Sequence, residues 1–274
     1  MRWLAGAAIL TCLVLLGPSA PSSTPSAKPL PAEAVRDIAS NRVMTWNICN
    51  PCGTEHNAGR AAEIASYAPQ VIGLQEACQR DVERIRDFLR SRYGLKYHVE
   101  YGMVLRNMGR CGGFPWNAGA YGQAILSAAP MTDRENVEYP EGGSEDRGYM
   151  AVTTKVGGQS VRVFNTHLAE REQADIRAKQ VPVFAAAFAR HQRAIAIGDF
   201  NATPESPELG RMWPLARDTD PQCRPRSTGD CRVTTDWYSK FDYIFPRGFE
   251  PLGHQVRQSE HSDHHLVRAD LKPT

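Results

Sequence analysis

The sequence predicts a mixed α/β domain in which β-sheets pack on each other with helices outside. Three observations predict it: runs of strand length outnumber helical patterns, hairpin and β-α-β connections mix along the chain, and no internal repeat or second linker divides it. A single doubly wound parallel sheet would need a helix between successive strands, and this pattern lacks that regularity. At 274 residues the chain is long enough to bury a sizeable core, and its composition is neither disordered nor fibrous. The formal net charge of +2 is too small to argue a nucleic-acid or membrane partner by electrostatics alone.

At the N-terminus Arg2 precedes the apolar run WLAGAAILTCLVLLG, and PSAPSSTPSAKPLPA follows it. A positive charge, an apolar core and small residues in that order read as a secretory signal followed by a Pro/Ser linker. Residues 1–20 are expected to be a signal peptide, 21–40 a linker and 41–274 the folded domain of a secreted protein. Because the apolar run approaches the length of a membrane span, an uncleaved anchor is the alternative. Past the signal stand Cys49, Cys52, Cys78, Cys111, Cys223 and Cys231, an even count that in an exported chain reads as disulfides. Of the roughly 15 pairings open to six cysteines, the short loop Cys223–Cys231 is expected first and Cys78–Cys111 second.

The elements follow in order. RVMTWNI (42–48) reads as a strand, GRAAEIASYA (59–68) as a short helix and QVIGLQE (70–76) as a buried strand. DVERIRDFLRSRY (81–93) places Val82, Ile85 and Leu89 on one face of an amphipathic helix. The Gly- and Asn-rich stretch NMGRCGGFPWNAGAYG reads as a long loop. Strands are expected at 123–127, 148–156 and 160–168, the last two joined by a Gly157-Gly158 hairpin turn. A helix over 172–190 should be interrupted or kinked at Pro182. AIAIGDF, KFDYIF and HHLVRADL read as closing strands.

Six of these strands deliver polar groups at or near an end: Asn47, Glu76, His167, Asp199 with Asn201, Asp242, and Asp263 with His264. Packing does not ask for this, because a buried carboxylate is costly unless it is paired or binds a metal. One shared site would satisfy all six. Asp199 and Asn201, two residues apart in extended chain, can face the same point. The oxygen-rich set of Glu76, Asp199, Asp263, Asn47 and Asn201 suits a hard cation such as Mg²⁺, Mn²⁺ or Ca²⁺. Two histidines and a further aspartate add groups that move protons near neutrality. Together these fit hydrolysis of a phosphate ester. A zinc site built on His261, Asp263, His264 or His265 of HSDHH is the competing reading, and it is short of well-placed histidine ligands.

Taken as an ordered set, MTWNI, VIGLQE, NTHL, GDFNATP, FDYIF and SDHHLV resemble the endonuclease/exonuclease/phosphatase superfamily, the DNase I-like hydrolases. The resemblance implies a four-layered sandwich of two packed mixed β-sheets flanked by helices, with a metal-dependent phosphoesterase site at one end. It implies Glu76 as principal metal ligand with Asn47 and Asp263. Asn201 and His167 would bind the scissile phosphate, His167 also protonating the leaving oxygen. Asp199 would handle the attacking water, and His264, oriented by Asp242, would serve as general acid/base; which of the two takes the water proton stays open. Arg147, before a strand, matches a phosphate-binding position. Where some relatives carry an acidic residue two positions after the first Asn, this chain has Cys49, which puts more weight on Glu76.

The superfamily cleaves many phosphoesters, so the fold does not choose the substrate. Export and the loop arginines Arg106, Arg110, Arg147, Arg171, Arg224, Arg226 and Arg232 favour an endonuclease acting on extracellular nucleic acid. A sphingomyelinase-like lipid phosphodiesterase is the alternative, with Phe114 and Trp116 as its membrane contact, and a non-catalytic binding module comes third. A monomer with no obligate protein partner is expected.

Overall fold

The computed structural model describes residues 37–49, 53–226 and 230–274. The expected signal peptide and nearly all of the linker lie outside them. Among the described residues no helix is long and apolar enough to cross a membrane.

The strands are β1 (Ala39–Asn47), β2 (Pro69–Cys78), β3 (His98–Arg106), β4 (Gly113–Phe114), β5 (Asn117–Ala118), β6 (Ala120–Ser127), β7 (Thr132–Glu138), β8 (Gly148–Val156), β9 (Gln159–His167), β10 (Ala194–Asp199), β11 (Asp242–Arg247), β12 (Phe249–Arg257) and β13 (Leu266–Pro273). The helices are α1 (Asn57–Tyr67), α2 (Gln79–Tyr93), α3 (Met108–Cys111) and α4 (Ala174–Ala189). One six-stranded sheet runs β12-β13-β1-β2-β6-β3 and one five-stranded sheet runs β11-β10-β9-β8-β7. Both are mixed, since β1–β2 and β9–β10 are parallel and the other pairs antiparallel.

The period-2 alternation of side chains sorts the apolar residues into layers. In β1 and β2, Val43 and Val71 join Ile125, Val163, Ile195, Ile244 and Val267 between the sheets. Their neighbours Met44 and Ile72 point the other way, against Ile64 of α1 and Val82, Ile85 and Leu89 of α2. The far face of the five-stranded sheet, with Phe164, Ala196 and Phe245, packs on Val181, Phe184 and Phe188 of α4. Helices, sheet, sheet and helix therefore make the four expected layers. Gly94, in a left-handed conformation at φ 69°, ends α2, and Gly157-Gly158 turns β8 into β9 with both φ positive.

Several local expectations need correction. Strands β3, β7 and β12 went unread because all three are sheet edges, where almost no side chain is fully buried and the apolar alternation fades. The stretch read as a long loop holds α3 and the small β4–β5 hairpin. Helix α4 continues through Pro182 without interruption. Both expected disulfides form: Cys78–Cys111 closes a separation of 33 residues and Cys223–Cys231 one of 8.

Candidate active site

The polar strand ends meet because of strand direction. Parallel β1 and β2 end at the same edge of their sheet, as do β9 and β10 in theirs, and β11 starts where its antiparallel neighbour β10 finishes. Asp199 thus sits level with His167 on one side and Asp242 on the other. Antiparallel β13 likewise begins beside the end of β1, which brings His264, two residues before it, to the same place.

Local backbone then aims the side chains. The β2–β6 pairing slips between Leu74 and Ala77, and Glu76 there adopts φ 52°. Asn201 adopts φ 48°. Left-handed backbone at a non-glycine residue is uncommon and is held here only because the surroundings fix it. Gly198, at φ 145°, is required for a different reason: a Cβ would lie 2.0 Å from the carbonyl oxygen of Thr166 on β9.

The side chains form one network. Asn47 Nδ2 donates to Glu76 Oε1 at 3.1 Å and to Asp199 Oδ2 at 3.0 Å. The backbone N–H of Asn201 donates to Asp199 Oδ1 at 2.8 Å. Asn201 Nδ2 lies 3.2 Å from His167 Nε2 and donates to the carbonyl of Leu168 at 3.1 Å. His264 Nδ1 pairs with Asp242 Oδ2 at 2.9 Å, and its Nε2 is 3.7 Å from Asp199 Oδ2. Asp242 is itself fixed by Thr234, whose hydroxyl accepts from the N–H groups of both Phe241 and Asp242 at 3.0 Å.

Burial and charge set the titration of these groups. Desolvation pushes the Asp199 carboxyl from its usual value up to about 7, the Asp242 charge adding to the shift while His264 opposes it. Burial works against a charged His264, but the carboxylates of Asp242 and Asp199 override it and raise the imidazole to about 10. His167 is held well below its ordinary value, first by burial and then by the positive charges of Arg147, His264 and Arg110. His264 is therefore an imidazolium at neutral pH and His167 a neutral ring.

All of this opens into a cleft of about 420 Å³ lined by Glu76, Arg110, His167, Asp199, Asn201 and His264, with Arg147, Asp263 and Trp237 also on its wall. Arg147 is buried and pairs with Glu145, which also binds Arg110 at 3.0 Å; Arg110 lies 3.8 Å from Glu76. Asp263 borders the cleft and its charge acts on His264. Of the other loop arginines, Arg171 lines this cleft. Arg106 lines a neighbouring groove, and Arg224 lines a separate cavity with Trp213 and His254.

Among the described residues, one group of three carboxylate or imidazole side chains comes within 4.8 Å mutually: Asp199, Asp242 and His264. Asp242 is already committed to His264, which itself carries a proton, so this trio suits proton handling better than metal binding. Glu76 offers carboxylate oxygens on the facing wall, with Asp263 bordering the cleft, and that chemistry fits a divalent cation. The side-chain oxygen of Asn47 accepts from the N–H of Cys49 at 3.2 Å while its Nδ2 faces Glu76 and Asp199, so Asn47 would ligate only with its amide turned over. The zinc alternative lacks its histidines: His261 faces His56 at 3.3 Å and His265 faces Asp236 at 3.1 Å, so of the three histidines of HSDHH only His264 lines the cleft, beside Asp263.

All nine residues singled out from the sequence reach this one place. Three participants went unnamed: Thr234, Glu145, and Trp237, whose ring packs edge-on to His264 with centroids 5.3 Å apart. The stretch TTDWYSKFDY (234–243) did carry a signal, since a run of hydroxyl and aromatic residues directly precedes Asp242.

The chain matches the Endonuclease/Exonuclease/phosphatase family over residues 44–264. No curated protein sequence matches it. Among solved structures it is similar to an endonuclease/exonuclease/phosphatase from Beutenbergia cavernae DSM 12333, with TM-score 0.69 and 22% identity over 85% of this chain and 71% of that one. It is also similar to the human Nocturnin catalytic domain with bound sulfate anion, with TM-score 0.66 and 19% identity over 85% and 94% of the two chains. D. rerio TDP2 complexed with single strand DNA product gives TM-score 0.64 and 17% identity over 84% and 98%. At such identities the structural likeness speaks for the fold, whereas the family match spans most of the chain. The protein therefore belongs to the endonuclease/exonuclease/phosphatase family of phosphoric ester hydrolases, which generally use a divalent metal and act on phosphodiester substrates.

Proposed function

We propose that the protein is a secreted, Mg²⁺-dependent phosphodiesterase that cleaves extracellular nucleic acid, with residues 41–274 as its catalytic domain. The observation that carries the reading is the buried chain Asp242–His264–Asp199 facing Glu76 across the amide of Asn47. Export is supported by the two disulfides between described residues and by the N-terminal signal pattern. Mn²⁺ or Ca²⁺ could replace Mg²⁺ at the same oxygen ligands.

Glu76, Asn47 and Asp263 would hold the cation, which when bound neutralises charge on the phosphate oxygens. The remaining chemistry belongs to the protein. Asp199, ionised above about pH 7, accepts the proton of the attacking water. His264, kept as imidazolium by Asp242, donates a hydrogen bond to the oxygen on which negative charge develops. This divides the two roles that the sequence leaves joint. Asn201 and neutral His167 hold a non-bridging oxygen, and the low basicity of His167 favours that part over proton donation. Arg147 and Arg110 place positive charge on the same wall, partly offset by Glu145.

The test incubates purified protein with plasmid DNA, RNA and sphingomyelin vesicles, with Mg²⁺ or with EDTA. Metal-dependent cleavage of nucleic acid supports the reading. Phosphocholine release without nucleic-acid cleavage replaces it with the lipid phosphodiesterase, and inactivity on all three rejects both.

A further inference from the structure

Beside the catalytic cleft lies a second groove of about 670 Å³, to which no role has yet been given. Its walls carry Arg80, Arg106 and Arg134, together with Gln79 and Asn117. Residues neighbouring in the chain line the two depressions: Cys111 the groove and the preceding Arg110 the cleft, Gln79 the groove and Glu76, three positions earlier, the cleft.

The groove is cationic and under-compensated. Arg106 Nη1 donates only to neutral oxygens, those of Ala118 at 2.9 Å and Asn117 at 3.5 Å. Arg80 has a carboxylate no nearer than that of Asp81 at 3.9 Å, and Arg134 pairs with Glu100 at 3.2 Å. Glu83 is the one acidic residue among the lining groups.

On the rim stands the β4–β5 hairpin, whose Asn117 and Ala118 belong to the groove wall. It presents Phe114, 62% exposed, and Trp116, 83% exposed, stacked parallel with centroids 5.4 Å apart and planes 6° from parallel. Such rings forfeit burial that a fold normally takes, and no core cluster uses them. Arg106 ties the hairpin to the groove floor, and the Cys78–Cys111 disulfide anchors its base to the end of β2. The hairpin is thus tied to the domain at two points.

Repeated guanidinium groups with flat exposed rings beside them match a ligand that alternates anionic and aromatic units. A membrane surface fits less well, because inserting the hairpin would strip water from the flanking arginines and Asn117. We propose that the groove and the Phe114–Trp116 hairpin form an accessory binding site for the single strand of nucleic acid that flanks the cleaved bond. The arginines take phosphates and Trp116 stacks on a base. This rests on the nucleic-acid reading above and extends it by about the length of the groove.

The experiment measures binding of fluorescent thymidine oligomers of about three and about twelve nucleotides to the full protein in EDTA, beside Trp116→Ala and Arg106→Ala. The longer oligomer is expected to bind at least about tenfold more tightly to the wild type, with each substitution removing most of that advantage. Arg106→Ala should also flatten the salt dependence by about one phosphate contact. Both residues are exposed, and matching thermal melts would confirm that the variants are folded. A length advantage that survives both substitutions overturns the accessory site. So do substitutions that abolish binding to phosphatidylcholine–sphingomyelin vesicles while sparing the oligomer. Hydrolysis of bis(p-nitrophenyl) phosphate by the wild type with Mg²⁺ separates the two claims. Its absence sinks the phosphodiesterase reading itself, whereas its presence with an unaltered length advantage sinks only the groove.

Discussion

Asp199 and Glu76 share one hydrogen-bond donor, the amide of Asn47, yet they stand in different surroundings. Asp199 is 1% exposed and flanked by Asp242 and two histidines, and both of its oxygens accept hydrogen bonds from fixed donors. Glu76 sits at the rim with one amide bond and a distant, half-open Arg110. A dry carboxylate with a fixed donor on each oxygen has its proton affinity set by the protein. A wetter one keeps lone pairs for whatever enters the cleft. On the proposed mechanism, proton transfer falls to the buried Asp199 wall and cation contact to the more open Glu76 wall.

The sharpest way to break that division is to remove its buried half. His264→Ala and Asp199→Ala should each lower kcat/KM for a phosphodiester by about 10³–10⁴-fold, and steady-state rates at rising Mg²⁺ should show no recovery. Glu76→Ala should cost about 10²-fold or more, but here added Mg²⁺ should restore part of the rate. Equal rescue of both walls would mean that they do not differ in the way argued.

A pH profile tests the same point more gently. On the proposed mechanism Asp199 works as a carboxylate, and burial raises it to about 7, so its active form is present above that pH and lost below it. The rate should fall roughly tenfold per unit on the acid side, and Asp199→Asn should abolish that limb. On the alkaline side the imidazolium of His264 persists until about pH 10, so the wild-type plateau should be broad. The smallest effect is expected at Thr234→Val, which leaves two backbone N–H groups without their acceptor. It should lower stability by about 1–3 kcal/mol, read from a urea melt, and slow turnover about tenfold or less through looser placement of Asp242.

How much of this could be read beforehand follows from where each residue lies. Interior strands carry dense apolar runs ending in a single polar residue, so β1, β2, β9 and β10 and their terminal Asn47, Glu76, His167 and Asp199 stood out. Edge strands such as β7, TDRENVE, have almost no buried face and leave no periodic trace. Contacts made by backbone groups are silent as well. The Thr234 hydroxyl under Asp242 acts on main-chain N–H groups that no residue type marks, and the register slip at Glu76 depends on the pairing of β2 with β6, some fifty residues away. The neighbouring groove was invisible for another reason: Arg80, Arg106 and Arg134 come from α2, β3 and β7, and only the sheet topology sets them side by side.

Strand β13 lies inside its sheet, between β12 and β1, and the Arg42–Asp270 pair at 2.7 Å helps clamp it to β1. Just before it, the carbonyl of His264 accepts a hydrogen bond from the indole of Trp46 across 218 residues of chain. Ribosomes make the segment carrying Asn47 and Glu76 long before the one carrying His264, at about 5–20 residues per second. The cleft therefore lacks His264 during most of synthesis, and such non-local strand pairing closes slowly even afterwards. On the proposed mechanism, turnover waits for the docking of β13.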